Sequence, residues 1–171
     1  VAVPEKFATV YADTGFVLGV VGTRYTVVQN VTAFRAIDRW LADGRVKYET
    51  AGALDEGRKV FILVRIGEDF TIAGTDRVTP YALVTNSHDG SSGLGVKLVS
   101  TRVVCQNTLN VSLREKGERI GIRHTASAEA NIESAAQALG LVSRQQAEMM
   151  QRFQQLAQMN AGQTLVEQVV E

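Results

Sequence analysis

The chain has 171 residues, 45% of them hydrophobic and 21% charged, and its 18 basic and 18 acidic side chains cancel. That is apolar enough for one core of ordinary size and argues against a disordered chain. A single cysteine, Cys105, excludes an intramolecular disulfide, and with two histidines a structural zinc site would have to recruit carboxylates, so no metal is expected.

No apolar run approaches the roughly 18–20 residues that span a bilayer. Glu5 and Lys6 come early and no apolar leader follows them, so a cytoplasmic protein with no membrane partner is expected.

Residues 1–12 read as an arm, either a short helix or an extended segment. The apolar run FVLGVV (16–21) ends at Gly22 and residues 24–28 follow, as two short strands or one strand bent at glycine. A helix comes next. Asn30 is a good N-cap, and Val31, Phe34, Ile37 and Leu41 recur at helical spacing beside Trp40. Asp43-Gly44 closes it, while Arg35, Asp38 and Arg39 face solvent.

Residues 46–54 and 58–66 are rich in β-branched and aromatic types, and Asp55-Glu56-Gly57 joins them as the three-residue turn of a hairpin. Strand is expected again over 69–73, a turn over 74–77, and strand over 79–85, with Pro80 marking an edge or the strand's start. Residues 86–93 form a loop dense in turn residues, 96–105 a strand, and 106–110 the opening of a helix that continues through Val111, Leu113 and Arg114. Residues 120–124 are a short strand or loop.

From Ser127 the pattern turns helical through Ile132, Ala135, Ala136 and Leu139 to Gly140. A second helix starts at Ser143, with Gln146 completing a capping box, and carries Met149, Met150, Phe153 and Leu156. A short helix from Thr164 follows the break at Asn160-Ala161-Gly162. This order predicts an α+β fold: an antiparallel β-meander with a preceding helix and C-terminal helices packed on the sheet. One domain is expected over 1–171, with its α+β core at 13–125 and C-terminal helices at 126–171.

Several groupings bear on chemistry. Asn86-Ser87-His88-Asp89-Gly90 holds polar groups suited to phosphate, a base edge or a cation, although the same residues dominate ordinary turns. Arg123-His124-Thr125 precedes helical sequence and suits an anion cradle or a simple cap. Cys105 is expected to be a small buried thiol rather than the partner of His88 or His124. Ser91 or Ser92 with His88 and Asp89 is too local in sequence for triad geometry. Gly90, Gly93 and Gly95 match no phosphate-loop pattern, and no Gly-Lys-Ser/Thr occurs. No catalytic set and no cofactor is therefore expected.

Neutrality hides a segregated charge. Residues 97–123 carry Lys97, Arg102, Arg114, Lys116, Arg119 and Arg123 against only Glu115 and Glu118. Residues 126–171 carry Arg144 and Arg152 against five glutamates. A basic middle on a sheet suits a phosphate backbone, and an acidic tail suits head-to-tail self-association.

The blocks TGFVLGVVGTRYTVVQN (14–30), YETAG (48–52), NSHDGSS (86–92), RVVCQNTL (102–109) and IRHT (122–125) resemble the phage/plasmid-like protein family, a prokaryotic domain of unknown function. The resemblance runs from about Asp13 to Leu141 and carries over no catalytic residue. In layout alone, a helix, a meander and a helix across the sheet are similar to the core of single-strand annealing proteins, the phage RecT, Redβ and Erf proteins and the eukaryotic Rad-type recombinases. That likeness implies rings or filaments that hold single-stranded DNA in a basic groove.

The leading expectation is thus a cofactor-free, non-catalytic protein that binds and anneals single-stranded DNA as an oligomer in the recombination of a mobile element. Lys97, Arg102, Arg114, Lys116, Arg119 and Arg123 would grip phosphates, with His124, Asn86, His88 and Asn107 as polar neighbours. One alternative is a metal-dependent nuclease or hydrolase on the His88-Asp89 loop, with Asp69 or Asp76 as further ligands. Another is a structural or interaction module displaying Met149, Met150, Phe153 and Leu156.

Overall fold

The computed structural model describes residues 3–42, 44, 46–72, 76–100, 102–114, 119–128, 130–132, 151 and 155. Its elements in chain order are β1 (Lys6–Val10), β2 (Val17–Gly22), α1 (Asn30–Ala42), β3 (Val46–Leu54), β4 (Lys59–Ile66), β5 (Phe70–Ile72), β6 (Asp76–Val78), β7 (Tyr81–Ser87), β8 (Leu94–Val99), α2 (Gln106–Arg114) and β9 (Arg119–Ile122). The fold is α+β. Its centre is an antiparallel five-stranded sheet in the order β3-β4-β7-β8-β9, a meander interrupted by the small hairpin β5-β6 and by α2. A separate two-stranded ribbon pairs β1 with β2.

The inner strands β4 (KVFILVRI) and β7 (YALVTNS) carry the unbroken apolar runs VFILV and YALV because both faces of the sheet are covered. Strand alternation sorts their side chains between two cores. On one face Phe61, Leu63, Tyr81, Leu83 and Val99 pack with Val103 and with Leu109 of α2. On the other, Val64, Ile66, Ala82, Val84, Leu94, Val96 and Ile122 pack with Ala33 and Ile37 of α1 and with Ala128 and Ile132. Leu63, Leu83 and Ile37 are fully buried. Each such side chain contributes about 1.5–3 kcal/mol of transfer free energy.

Several boundaries differ from the sequence expectation. The arm contains a strand, since Lys6 to Val10 pairs with β2. Helix α1 begins at Asn30, but the carbonyl of Gln29 accepts from the amides of Thr32 and Ala33, so Gln29 is the half-in residue and the Asn30 side chain is free for other bonds. Val31 is 72% exposed; the inward face is Ala33 and Ile37, one turn apart. Gly44 closes the helix with φ 67°.

The β3-β4 turn spans residues 55–58 rather than three, because Leu54 pairs with Lys59. Asp76 and Arg77 are strand, not turn. Pro80 stands at the start of β7, which is an interior strand, and β7 runs on through Asn86 and Ser87. Strand β8 stops at Val99, well short of Cys105. The side chains of Trp40 and Leu41, together with Asp43, Lys116, Ser143, Met149, Met150, Phe153, Leu156 and the terminal helix from Thr164, lie outside what is described.

Candidate functional site

The Ser87 end of β7 gathers polar side chains from four parts of the chain. Asn86 is 1% exposed, and its Nδ2 donates to the carbonyl of Val28 and to Oδ1 of Asn30, both at 3.0 Å. His88 is 7% exposed and its Nε2 lies 2.9 Å from the same Asn30 oxygen. An amide oxygen only accepts, so His88 carries its proton on Nε2. Burial lowers the pKa of His88, against the opposing charge of Asp89.

Across the turn, the Tyr25 hydroxyl donates to the carbonyl of Ser87 at 3.0 Å and lies 2.6 Å from Nδ1 of His124. The phenol has one proton and the carbonyl takes it, so Nδ1 of His124 is the donor of the second bond. The His124 Nε2 lone pair is then buried without a hydrogen-bond partner, as is Oδ1 of Asn86. Burial pushes the Tyr25 phenol up to about 12, with Asp89 adding to it, and burial lowers His124, with His88 adding to it.

Asp89 is committed to its own loop. Its Oδ1 accepts from the Ser87 hydroxyl and, at 2.8 Å, from the amide of Ser91, an Asx-type turn. Burial raises its pKa, but the bonds from Ser87 and Ser91 and the charge of Lys59 outweigh that and hold the carboxyl below its ordinary range. The ribbon fastens the loop from above: Thr9 Oγ1 donates to the carbonyl of His88 at 2.6 Å. From below, the His88 amide donates to the carbonyl of Arg58 at 2.7 Å. His88 and Asp89 thus face different partners, and Ser91 Oγ meets Ser87 Oγ, not an imidazole.

Beside this cluster lies an open cavity of about 650 Å³ between the ribbon, the 88–93 loop and the segment after β9. Lys6, Arg24 and Arg123 line it, with Tyr25, Ser92, His124 and Thr125 among them and Glu5 as the one carboxylate among the described residues. Among the described residues no carboxylate pairs with any of the three cations.

The expected phosphate-gripping set is dispersed. Arg123 and His124 line the cavity. Lys97 does not reach solvent: it is 5% exposed, and its Nζ donates to the carbonyls of Ser112 and Leu113 at 3.0 and 2.8 Å, so it caps the end of α2. Asn86 and His88 are likewise buried fastenings rather than surface groups. Arg102 is exposed but pairs at 2.7 Å with Glu49 of β3, one outer strand, whereas Arg119 stands on β9, the other. Four strand spacings, about 19 Å, separate those edges. Arg114 and Asn107 are exposed at opposite ends of α2, and Lys116 lies outside the described residues.

Cys105 is exposed, contrary to expectation. It caps α2: its carbonyl accepts from the Leu109 amide, and its own amide donates to Thr108 Oγ1 at 3.0 Å. The Thr108 hydroxyl and the neighbouring amides lower its thiol pKa. Asp69, a possible ligand for the His88-Asp89 loop, is bonded by Arg65 and Arg77 at the opposite end of the sheet, about 20 Å away along β7. No three His, Cys, Asp or Glu side chains converge among the described residues. Asp76's side chain is not described.

Lys6 and Arg24 were not legible as site residues. Each is an isolated cation in sequence, and only the pairing of β1 with β2 and the bond from Thr26 to the carbonyl of His124 bring them to Arg123.

A meander with helices on both faces and a basic cavity at one end defines the class: an α+β protein built around an antiparallel sheet. The chain belongs to the family described as a domain of unknown function (DUF932), whose family model matches residues 17–171. No curated protein and no solved structure matches it. None of its described helices is long and apolar enough to cross a membrane.

Proposed function

We propose that the protein binds single-stranded DNA along the open cavity and promotes its annealing without making or breaking a covalent bond. The observation that carries this reading is the trio Lys6, Arg24 and Arg123 on one cavity, among the described residues unpaired and opposed by Glu5 alone. Three cations around an open channel suit successive phosphates of a flexible strand better than a compact ligand, and backbone contacts leave base edges free to pair. Tyr25 and His124 are held by each other and by Ser87, so they stiffen the floor of the cavity rather than act on a substrate.

The resemblance of the family blocks to phage/plasmid-like proteins, and of the layout to annealing recombinases, supports the same reading, as does the self-association into rings or filaments that annealing proteins use. The test is the annealing rate of complementary labelled oligonucleotides. The protein is expected to accelerate it, and the double variant Arg24→Gln/Arg123→Gln to abolish the acceleration with thermal stability unchanged. A rate equal to that without protein contradicts the proposal.

A further inference from the structure

Arg119 belongs to a different cavity. It lies on β9 opposite Lys97, and its side chain runs back across β8 over Gly95. A Cβ at position 95 would stand 2.8 Å from both Nε and Nη2 of Arg119 and 3.0 Å from Oγ1 of Thr85. Only glycine at 95 leaves room for the guanidinium to lie against the sheet beside the Thr85 hydroxyl.

Around this point is a cavity of about 230 Å³ whose polar lining includes Lys59, Thr85, Ser91, Ser92, Asn110 and Arg119. Leu109 and Leu113 of α2 give it an apolar wall. Ser92 also lines the open cavity, so the two sites lie on either side of the 88–93 loop.

We propose that this smaller cavity binds a phosphomonoester, the phosphate of a small phosphorylated molecule such as a sugar phosphate. The volume is below the range of pockets for drug-sized ligands and leaves space for a phosphate and one small ring. Two cations and three hydroxyls offer more donors than the two oxygens of a carboxylate accept. A phosphomonoester brings three terminal oxygens and a charge near minus two, which matches them. Asp89 is near enough to feel the charge of Lys59, which lowers its pKa, and so offsets part of the cavity's positive charge. Arg119 has no carboxylate partner among the described residues and is the principal anchor. The guanidinium can present two parallel N–H groups to one phosphate, the arrangement that favours arginine at such sites.

This site does not depend on the reading of the open cavity, and its test keeps the two apart. Isothermal titration of the whole chain with ribose 5-phosphate, with ribose as control, is expected to show saturable binding to the phosphate alone. Arg119→Gln is expected to weaken it at least about tenfold, as loss of a charge-assisted bond does. Gly95→Ala keeps every charge, displaces the guanidinium and crowds the Thr85 hydroxyl, and is expected to weaken binding as well. Arg24→Gln, in the other cavity, is expected to leave it unchanged. The proposal is overturned if ribose 5-phosphate binds no better than ribose, or if Arg119→Gln and Gly95→Ala both bind it as the parent chain does.

Discussion

The backbone of Asp89 lies directly against Gly19 of β2: a Cβ at position 19 would overlap the Asp89 Cα and stand 2.9 Å from its carbonyl carbon. The ribbon is therefore seated on the polar loop through bare backbone, with the Thr9-to-His88 bond beside it. Gly19→Ala is expected to lift the ribbon and cost about 1–3 kcal/mol, the range for overpacking a close contact. Urea denaturation measures it; a midpoint equal to that of the parent chain would show that the ribbon is not seated there.

Tyr25 ties Ser87 to His124. Tyr25→Phe removes a hydroxyl that satisfies two otherwise buried groups, so it is expected to cost about 1–3 kcal/mol. The phenol also predicts a pH dependence. Its folded pKa, about 12, lies above the ordinary value of 10.0. The neutral form is thus favoured by folding; that contribution is whole below pH 10.0 and is lost as pH rises toward about 12. Alkaline melting curves of the parent chain should fall more steeply over this window than those of Tyr25→Phe.

The two buried histidines give the opposite window. Burial holds both His88 and His124 below the ordinary 6.5, with Asp89 opposing at His88 and His88 reinforcing at His124. Their contribution is present above pH 6.5 and lost as pH falls below it, because the unfolded chain then binds more protons. Asp69 and Asp89, both held below the ordinary carboxyl range, titrate in more acid solution and leave this window to the histidines. The melting temperature is expected to drop between about pH 7 and about pH 5, and the double variant His88→Gln/His124→Gln to show a flatter profile there. An equal slope in both chains would refute the assignment.

Lys97 is predicted to matter for stability. Lys97→Met keeps the buried stem but leaves two carbonyls of α2 without their cation, at a cost of about 1–3 kcal/mol. Arg114→Met, exposed on the same helix, should fall within about 0.5 kcal/mol of the parent chain. Comparable losses from both would mean that Lys97 does not cap the helix.

The sheet was legible because its signals are local. The runs KVFILVRI and YALVT read as strands by composition, Asp55 to Gly57 marks a hairpin, and Phe34 and Ile37 keep a helical period. What failed depended on partners far along the chain. Asn86 and Ser87 read as loop residues until Asn30, 56 positions earlier, supplies the acceptor that lets Asn86 end a buried strand. Strand β8 stops early because Val103 turns into the core against Leu109, although the β-branched residues after Val99 give no local stop signal. The cations misled for a related reason. Register on β8 and β9 sends Lys97 beneath α2 and Arg119 over Gly95, while the cavity's own trio comes from positions 6, 24 and 123.

The central claim is that Lys6, Arg24 and Arg123 hold the phosphates of a single strand. Fluorescence anisotropy of a labelled single-stranded oligonucleotide, from about 50 mM to about 200 mM salt, tests it most directly. Three phosphate contacts predict micromolar binding at the low end and a slope of log affinity against log salt of about −2. Arg24→Gln or Arg123→Gln should each make that slope shallower by about 0.7. No binding at about 50 mM salt, or a slope that neither variant changes, would contradict the account.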